Sequence, residues 1–218
     1  MISTRHLSAL PTIDTLKKLA QSLAILDAII EPNWEYRYYL FNSRWAEGEQ
    51  MAKMDNGSGD KLYCAFGLPG AFLKGFDHES EMSPWANEYR KIWPGVLDDV
   101  PESFKTFATE PAFEMDATTF CIWRGHQDTE WMKGRISYPE GDDPDGSRRM
   151  LAMFDGDPNT YKKWAEGYYE RQIGLSVTKK IYEHEPLTQK LIHELNPAAD
   201  FAGVAADAKA IDYPLASV

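Results

Sequence analysis

Asp77-His78-Glu79 is the one compact acid/base cluster in the chain. Histidine titrates near neutral pH, and a neighbouring carboxylate tunes it. If the protein is an enzyme, the candidate catalytic residues are therefore His78 with Asp77 or Glu79, and the chemistry is hydrolase-like. Successive strand residues point to opposite faces, so the three converge only where the chain turns. The structural alternative is that His78 merely caps the turn that follows. No other set competes. His126, His184 and His193 stand apart, with no HExxH or HxH spacing, and no metal site is expected. Asp142-Asp143-Pro144-Asp145-Gly146 resembles the start of a calcium loop. It lacks the alternating spacing and the glutamate at the twelfth position, so it reads as a solvated acidic loop. Gly57-Ser58-Gly59 is a turn and not a phosphate cradle, because no helix start follows it. GxSxG, P-loop and GxGxxG patterns are absent, and no cofactor is expected.

A second kind of chemistry is aromatic recognition. Trp34, Tyr36, Arg37 and Tyr38, with Trp85 and Tyr89, are the candidate binding residues. They are expected to wall a concave surface with Asp77-His78-Glu79 at its rim. Apolar walls around a polar focus are the usual make-up of a ligand or hot-spot pocket.

The elements that must position these groups follow from periodicity. Ile13 to Glu31 reads as a helix capped by Thr12 or Asp14 and stopped by Pro32. Its apolar arc includes Asp27, a carboxylate that burial obliges to find a partner. Arg37 and Arg44 are the nearest cations, and backbone donors are the other choice. Trp34 to Phe41, Glu49 to Met54, Lys61 to Phe66 and Ala71 to Phe76 read as strands of a meander. Asp55-Asn56-Gly57-Ser58-Gly59-Asp60 and Gly67-Leu68-Pro69-Gly70 are its turns, and turns this short imply antiparallel pairing. Thr118 to Arg124 is a further strand. Short helices are expected near Trp85 to Ile92, Glu102 to Ala108 and Asp128 to Lys133. Later ones are expected after Asp157-Pro158, over Ser176 to Glu183, and over Pro186 to Leu195. The expected fold is a single α+β domain over residues 1–197, an antiparallel β-meander packed against several helices. Residues 198–218 are expected to form a loosely docked tail.

Composition narrows the partners. The net charge of −11 repels phosphate backbones, so no nucleic-acid ligand is expected and a basic protein partner is the natural one. The two cysteines, Cys64 and Cys121, form no CxxC pair and are expected to stay reduced. No apolar run reaches membrane-spanning length, and Met1 to Pro11 lacks the apolar block of a signal peptide. A cytoplasmic location, without membrane contact, is the expectation. Oligomeric state is not legible.

Trp34-Glu35-Tyr36-Arg37-Tyr38-Tyr39 with Phe41-Asn42, Gly75 to Ser80, Thr119-Phe120-Cys121 and Asp142 to Gly146 resemble the motifs of a group of bacterial cytosolic proteins. That resemblance carries no activity with it. The order of helix, meander and helices is also similar, at the level of fold alone, to the SMI1/KNR4 type of immunity protein. Three functional classes remain. One is an acidic binding protein of immunity or adaptor type that docks a basic partner. The others are the hydrolase-like enzyme, and a small-ligand sensor using the aromatic sheet face.

Overall fold

The computed structural model describes residues 1–86 and 88–216. Helix α1 (Ile13–Ile30) begins where the Thr12 hydroxyl accepts the Thr15 N–H. Its apolar face buries Leu16, and from Leu19 to Ile30 every residue is buried, the polar Gln21 and Ser22 included. Asp27 lies in that face, fully buried. It meets neither Arg37 nor Arg44. Its Oδ2 accepts the backbone N–H groups of Tyr38 and Tyr39, at 3.0 and 2.8 Å. Its Oδ1 accepts the Tyr161 hydroxyl at 2.7 Å.

Those bonds explain a difference from the sequence reading. Trp34 to Tyr36 is not strand but a single 3₁₀ turn, capped by the Asn33 side chain on Glu35 N–H. With the Tyr38 and Tyr39 N–H groups held by Asp27, the ladder starts only at strand β1 (Tyr39–Ala46). Strands β2 (Glu49–Asp55), β3 (Lys61–Gly67) and β4 (Gly70–Phe76) complete the expected meander. After an excursion containing the short helix α2 (Lys105–Ala108), β5 (Phe120–Gly125) pairs with β4. The segment expected to be a helical turn after Asp128 instead delivers a two-residue strand, β6 (Met132–Lys133). The Arg124 guanidinium donates to the Asp128 and Thr129 carbonyls and Gly125 N–H donates to the Asp128 carboxylate. The chain is thereby turned back onto Trp123. All pairings are antiparallel and the strand order is sequential, β1 to β6.

Both faces of the sheet are covered. On one face pack α1 and the C-terminal helices, from Tyr39, Phe41, Cys64, Leu73 and Ile122 outward. On the other lie Met82, Val96, Phe104, Phe107 and Phe113 over Tyr63, Phe72, Cys121 and Trp123. Double coverage accounts for β4, which is buried at every position. It also carries Lys74, fully buried with no hydrogen bond to its ammonium. That group lies 5.5 Å from the Tyr63 ring centre and 5.9 Å from that of Phe76. Burial pulls its pKa down to about 8. The excursion between β4 and β5 holds a 3₁₀ turn at Pro84–Ala86 and no α-helix over the described part of Trp85 to Ile92; Asn87 lies outside the described residues.

Helices α3 (Ser147–Met150), α4 (Pro158–Tyr168), α5 (Leu175–Tyr182), α6 (Gln189–Leu195) and α7 (Phe201–Ile211) follow. Asp157 caps α4, with Pro158 at its first turn. The expected loose tail is corrected by α7. The Asp200 side chain caps it at Gly203 N–H, and Val204, Ala208, Ile211 and Tyr213 bury their side chains in the core. Small residues at Ala205, Ala206 and Ala208 disguised a packed amphipathic helix as a tail.

Candidate functional site

Three loops meet at one end of the β3–β4 hairpin. The first is the β2–β3 turn. Its Asn56 Oδ1 accepts the N–H groups of Ser58 and Asp60, which fixes the turn and presents the Asp60 carboxylate. The second leaves β4. Asp77 Oδ1 accepts Glu79 N–H and the Asp77 carbonyl accepts Ser80 N–H, so the chain turns at once. The third is residues 140–146, which leads into α3. Asp143 accepts the N–H groups of Arg148 and Arg149 and thereby sets the first turn of α3. Asp145 is buried and not solvated: it accepts from Thr4 and Ser147, which ties the N-terminal segment under the loop.

The focus of this junction is Asp60. Its Oδ1 accepts His78 N–H at 3.0 Å and lies 2.7 Å from His78 Nδ1. Its Oδ2 accepts from Arg149 Nη2 at 2.8 Å and from Asn56 Nδ2 at 2.7 Å. The same Arg149 nitrogen donates to Asp77 Oδ2 at 2.9 Å. Burial alone would raise the Asp60 carboxyl, but the His78 and Arg149 donors outweigh it and hold the group below the usual carboxylate range. His78 is pushed upward, mainly by its hydrogen bond to Asp60. With Nδ1 committed to Asp60, the Nε2 edge of the ring faces outward, 3.9 Å from Glu79 Oε1. The carboxylate that orients His78 is thus Asp60; Asp77 serves Arg149, and Glu79 is mostly exposed.

These groups line a cavity of about 670 Å³ together with Ser58, Ser80, Glu81, Glu140, Asp142 and Pro144. Its wall carries seven carboxylates, Asp60, Asp77, Glu79, Glu81, Glu140, Asp142 and Asp143, against one guanidinium. Ser80 is not free to react, since its hydroxyl donates to the Pro144 carbonyl and accepts Met82 N–H. Atoms of Asp60, Asp77 and His78 lie within 4.8 Å of one another, close enough to ligate an ion. The Arg149 guanidinium, however, already bridges the two carboxylates as their counter-charge.

The expected aromatic walls are elsewhere. Trp34 and Tyr36 are about two-thirds exposed on the turn before β1, and Trp85 and Tyr89 are exposed in the β4–β5 excursion. None of the four lines the acidic cavity. Arg37 is buried, donating to the Glu31 and Pro32 carbonyls and to Asp207 at 2.9 Å. Tyr38 packs against Trp164, Tyr39 and Tyr168. Tyr89 instead lines a second groove, about 660 Å³, with Ile92, Trp93 and Pro94. Asp60 and Arg149 are the two residues the sequence reading missed. Among the described residues, no helix is long and apolar enough to cross a membrane. No family model, curated protein or solved structure matches the chain.

Proposed function

We propose that the protein is an acidic binding module that captures a cationic segment of a basic protein partner in this cavity. The observation that carries the reading is the charge of the wall: seven carboxylates, with a single guanidinium saturated between two of them. Glu79, Glu81, Glu140 and Asp142 are exposed around the opening. Complementary charge at such a rim accelerates encounter and rejects anionic competitors.

Nona-arginine is the probe that tests this, titrated against two equally charged variants. One reverses Glu79, Glu81, Glu140 and Asp142 to lysine. The other reverses Asp14, Glu47, Glu102 and Glu183, exposed carboxylates away from the cavity. The first should weaken binding about tenfold more than the second, roughly 1.4 kcal/mol. Equal loss in both would reduce the interaction to net charge.

The second reading is hydrolase-like, with the Asp60–His78 pair as base. It rests on the 2.7 Å contact that leaves Nε2 turned outward. Turnover of ester or amide substrates that disappears in His78→Gln, while nona-arginine still binds, would favour it.

A further inference from the structure

We propose that Tyr161 and Asp27 form a buried one-electron redox site, with Trp164 and Tyr168 as its route to the surface. The site is separate from the acidic cavity and does not rest on the binding reading. Oxidising a phenol at neutral pH requires its proton to leave, because the phenol radical cation is a very strong acid. A base already hydrogen-bonded to the hydroxyl takes that proton in the same step. Tyr161 has such a base. It is fully buried, and its hydroxyl donates to Asp27 Oδ1 at 2.7 Å. The two backbone donors on Asp27 use Oδ2 and the Tyr161 hydroxyl uses Oδ1, while the Tyr169 hydroxyl also stabilises the carboxylate. Burial raises the Asp27 carboxyl to about 6, against the lowering effect of its hydrogen bonds. It is therefore ionised at neutral pH, yet more basic than a surface carboxylate.

The route is equally specific. Tyr161, Trp164 and Tyr168 occupy one stripe of α4 at helical spacing. Ring centres of Tyr161 and Trp164 are 5.6 Å apart. Trp164 stacks on Tyr168 at 5.1 Å, with the planes inclined by 16°. Tyr168 is 43% exposed. Tyr38 and Tyr39 close around Trp164, at 4.6 and 5.2 Å, and shield it. Each electron step thus crosses no more than a ring-to-ring contact. An outer-sphere one-electron oxidant removes an electron from Tyr168 or Trp164. Tyr161 refills that hole through Trp164, and its phenolic proton passes to Asp27 Oδ1. The products are a neutral Tyr161 phenoxyl radical, a protonated Asp27 and the oxidant reduced by one electron. A one-electron reductant at Tyr168 reverses the sequence. Exclusion of water protects the radical from side reactions.

The experiment uses the whole chain and photogenerated tris(bipyridine)ruthenium(III), with electron paramagnetic resonance and transient absorption as readouts. The wild type should form a tyrosyl radical that outlives those on exposed Tyr36 and Tyr89, because water is excluded from it. Tyr161→Phe should remove that long-lived signal. Trp164→Phe should cut its yield severalfold while leaving thermal unfolding cooperative. Asp27→Asn keeps acceptors for Tyr38 and Tyr39 N–H but takes no proton, so it should replace the tyrosyl signal with a short-lived tryptophan one. The proposal is overturned if no long-lived radical forms, or if the signal survives Tyr161→Phe. It is equally overturned if Trp164→Phe and Asp27→Asn, both folded, leave the yield unchanged.

Discussion

At the scale of single residues, Asp27 connects segments far apart in the chain. One carboxylate on α1 starts β1 through two backbone N–H groups and fixes α4 through Tyr161. It also carries a pH signature. The native state holds its proton up to about pH 6, while the unfolded chain releases it near the ordinary value of 3.8. Between those values the native state binds more protons, so stability falls as pH rises. The loss from pH 4 to pH 7 should be roughly 2 kcal/mol for this fully buried group. Urea unfolding at both pH values measures it, and Asp27→Asn should flatten the slope. A slope unchanged in that variant would mean that other groups set it. The amphipathic phase of α1 made the burial of Asp27 legible in the sequence. Its partners were not, because Tyr161 is far away in the chain and backbone donors have no sequence signature.

At the scale of elements, the β3–β4 hairpin builds the cavity. The tight turn pairs Gly67 with Gly70, and the register runs unbroken to Lys61 opposite Phe76. One step further places Asp60 beside Asp77. That juxtaposition followed from the turn and the strand lengths alone, so Asp60 was within reach of the sequence. Arg149 was not. It arrives on α3 from a loop whose path depends on Asp143, Asp145 and Thr4. The aromatic walls failed for a related reason: Asp27 delays β1, so Trp34 and Tyr36 sit on a turn and not on the sheet. Gly75 is the weak point of the hairpin. A Cβ there would enter the Phe120 ring on the adjacent strand. Gly75→Ala should therefore destabilise by about 1–3 kcal/mol through overpacking. Chemical denaturation measures the loss, and an unchanged midpoint would show that Phe120 has room to move. Gly146, at φ +75°, is constrained in the same way by the Asp77 carboxylate.

At the scale of the whole molecule, charge and layering decide behaviour. The chain carries a net charge of −11 and seven carboxylates line one opening, so capture of a cationic probe should weaken as salt rises above the roughly 0.15 M at which charges farther apart than about 8 Å are screened. It should strengthen as pH rises through the raised pKa of His78, above 6.5, because the imidazole then loses a positive charge that opposes the probe. The gain should be up to about fivefold, the worth of one charge at contact in water. Titration calorimetry at pH 6 and pH 8 measures it, and His78→Gln should remove the difference. Retention of the full difference in that variant would assign it to another group. The α+β class and antiparallel meander were legible because turn residues and strand alternation are local signals. Coverage of the second face was not, since the proline-punctuated excursion that supplies Phe104, Phe107 and Phe113 has little regular periodicity. The same layering keeps the buried thiols apart, with Cys64 in one core and Cys121 in the other.

The sequential strand order has a consequence for synthesis. As the chain emerges from the ribosome, β1 to β4 can pair in order, each with the strand just made. β4 must then wait until residues 77–119 have followed before β5 reaches its open side. During that interval Ala71-Phe72-Leu73, a wholly apolar segment that ends up covered on both faces, borders an unpaired edge. Such an edge is a template for pairing between nascent chains. Pairing of β5 with β4 is the step that closes that edge.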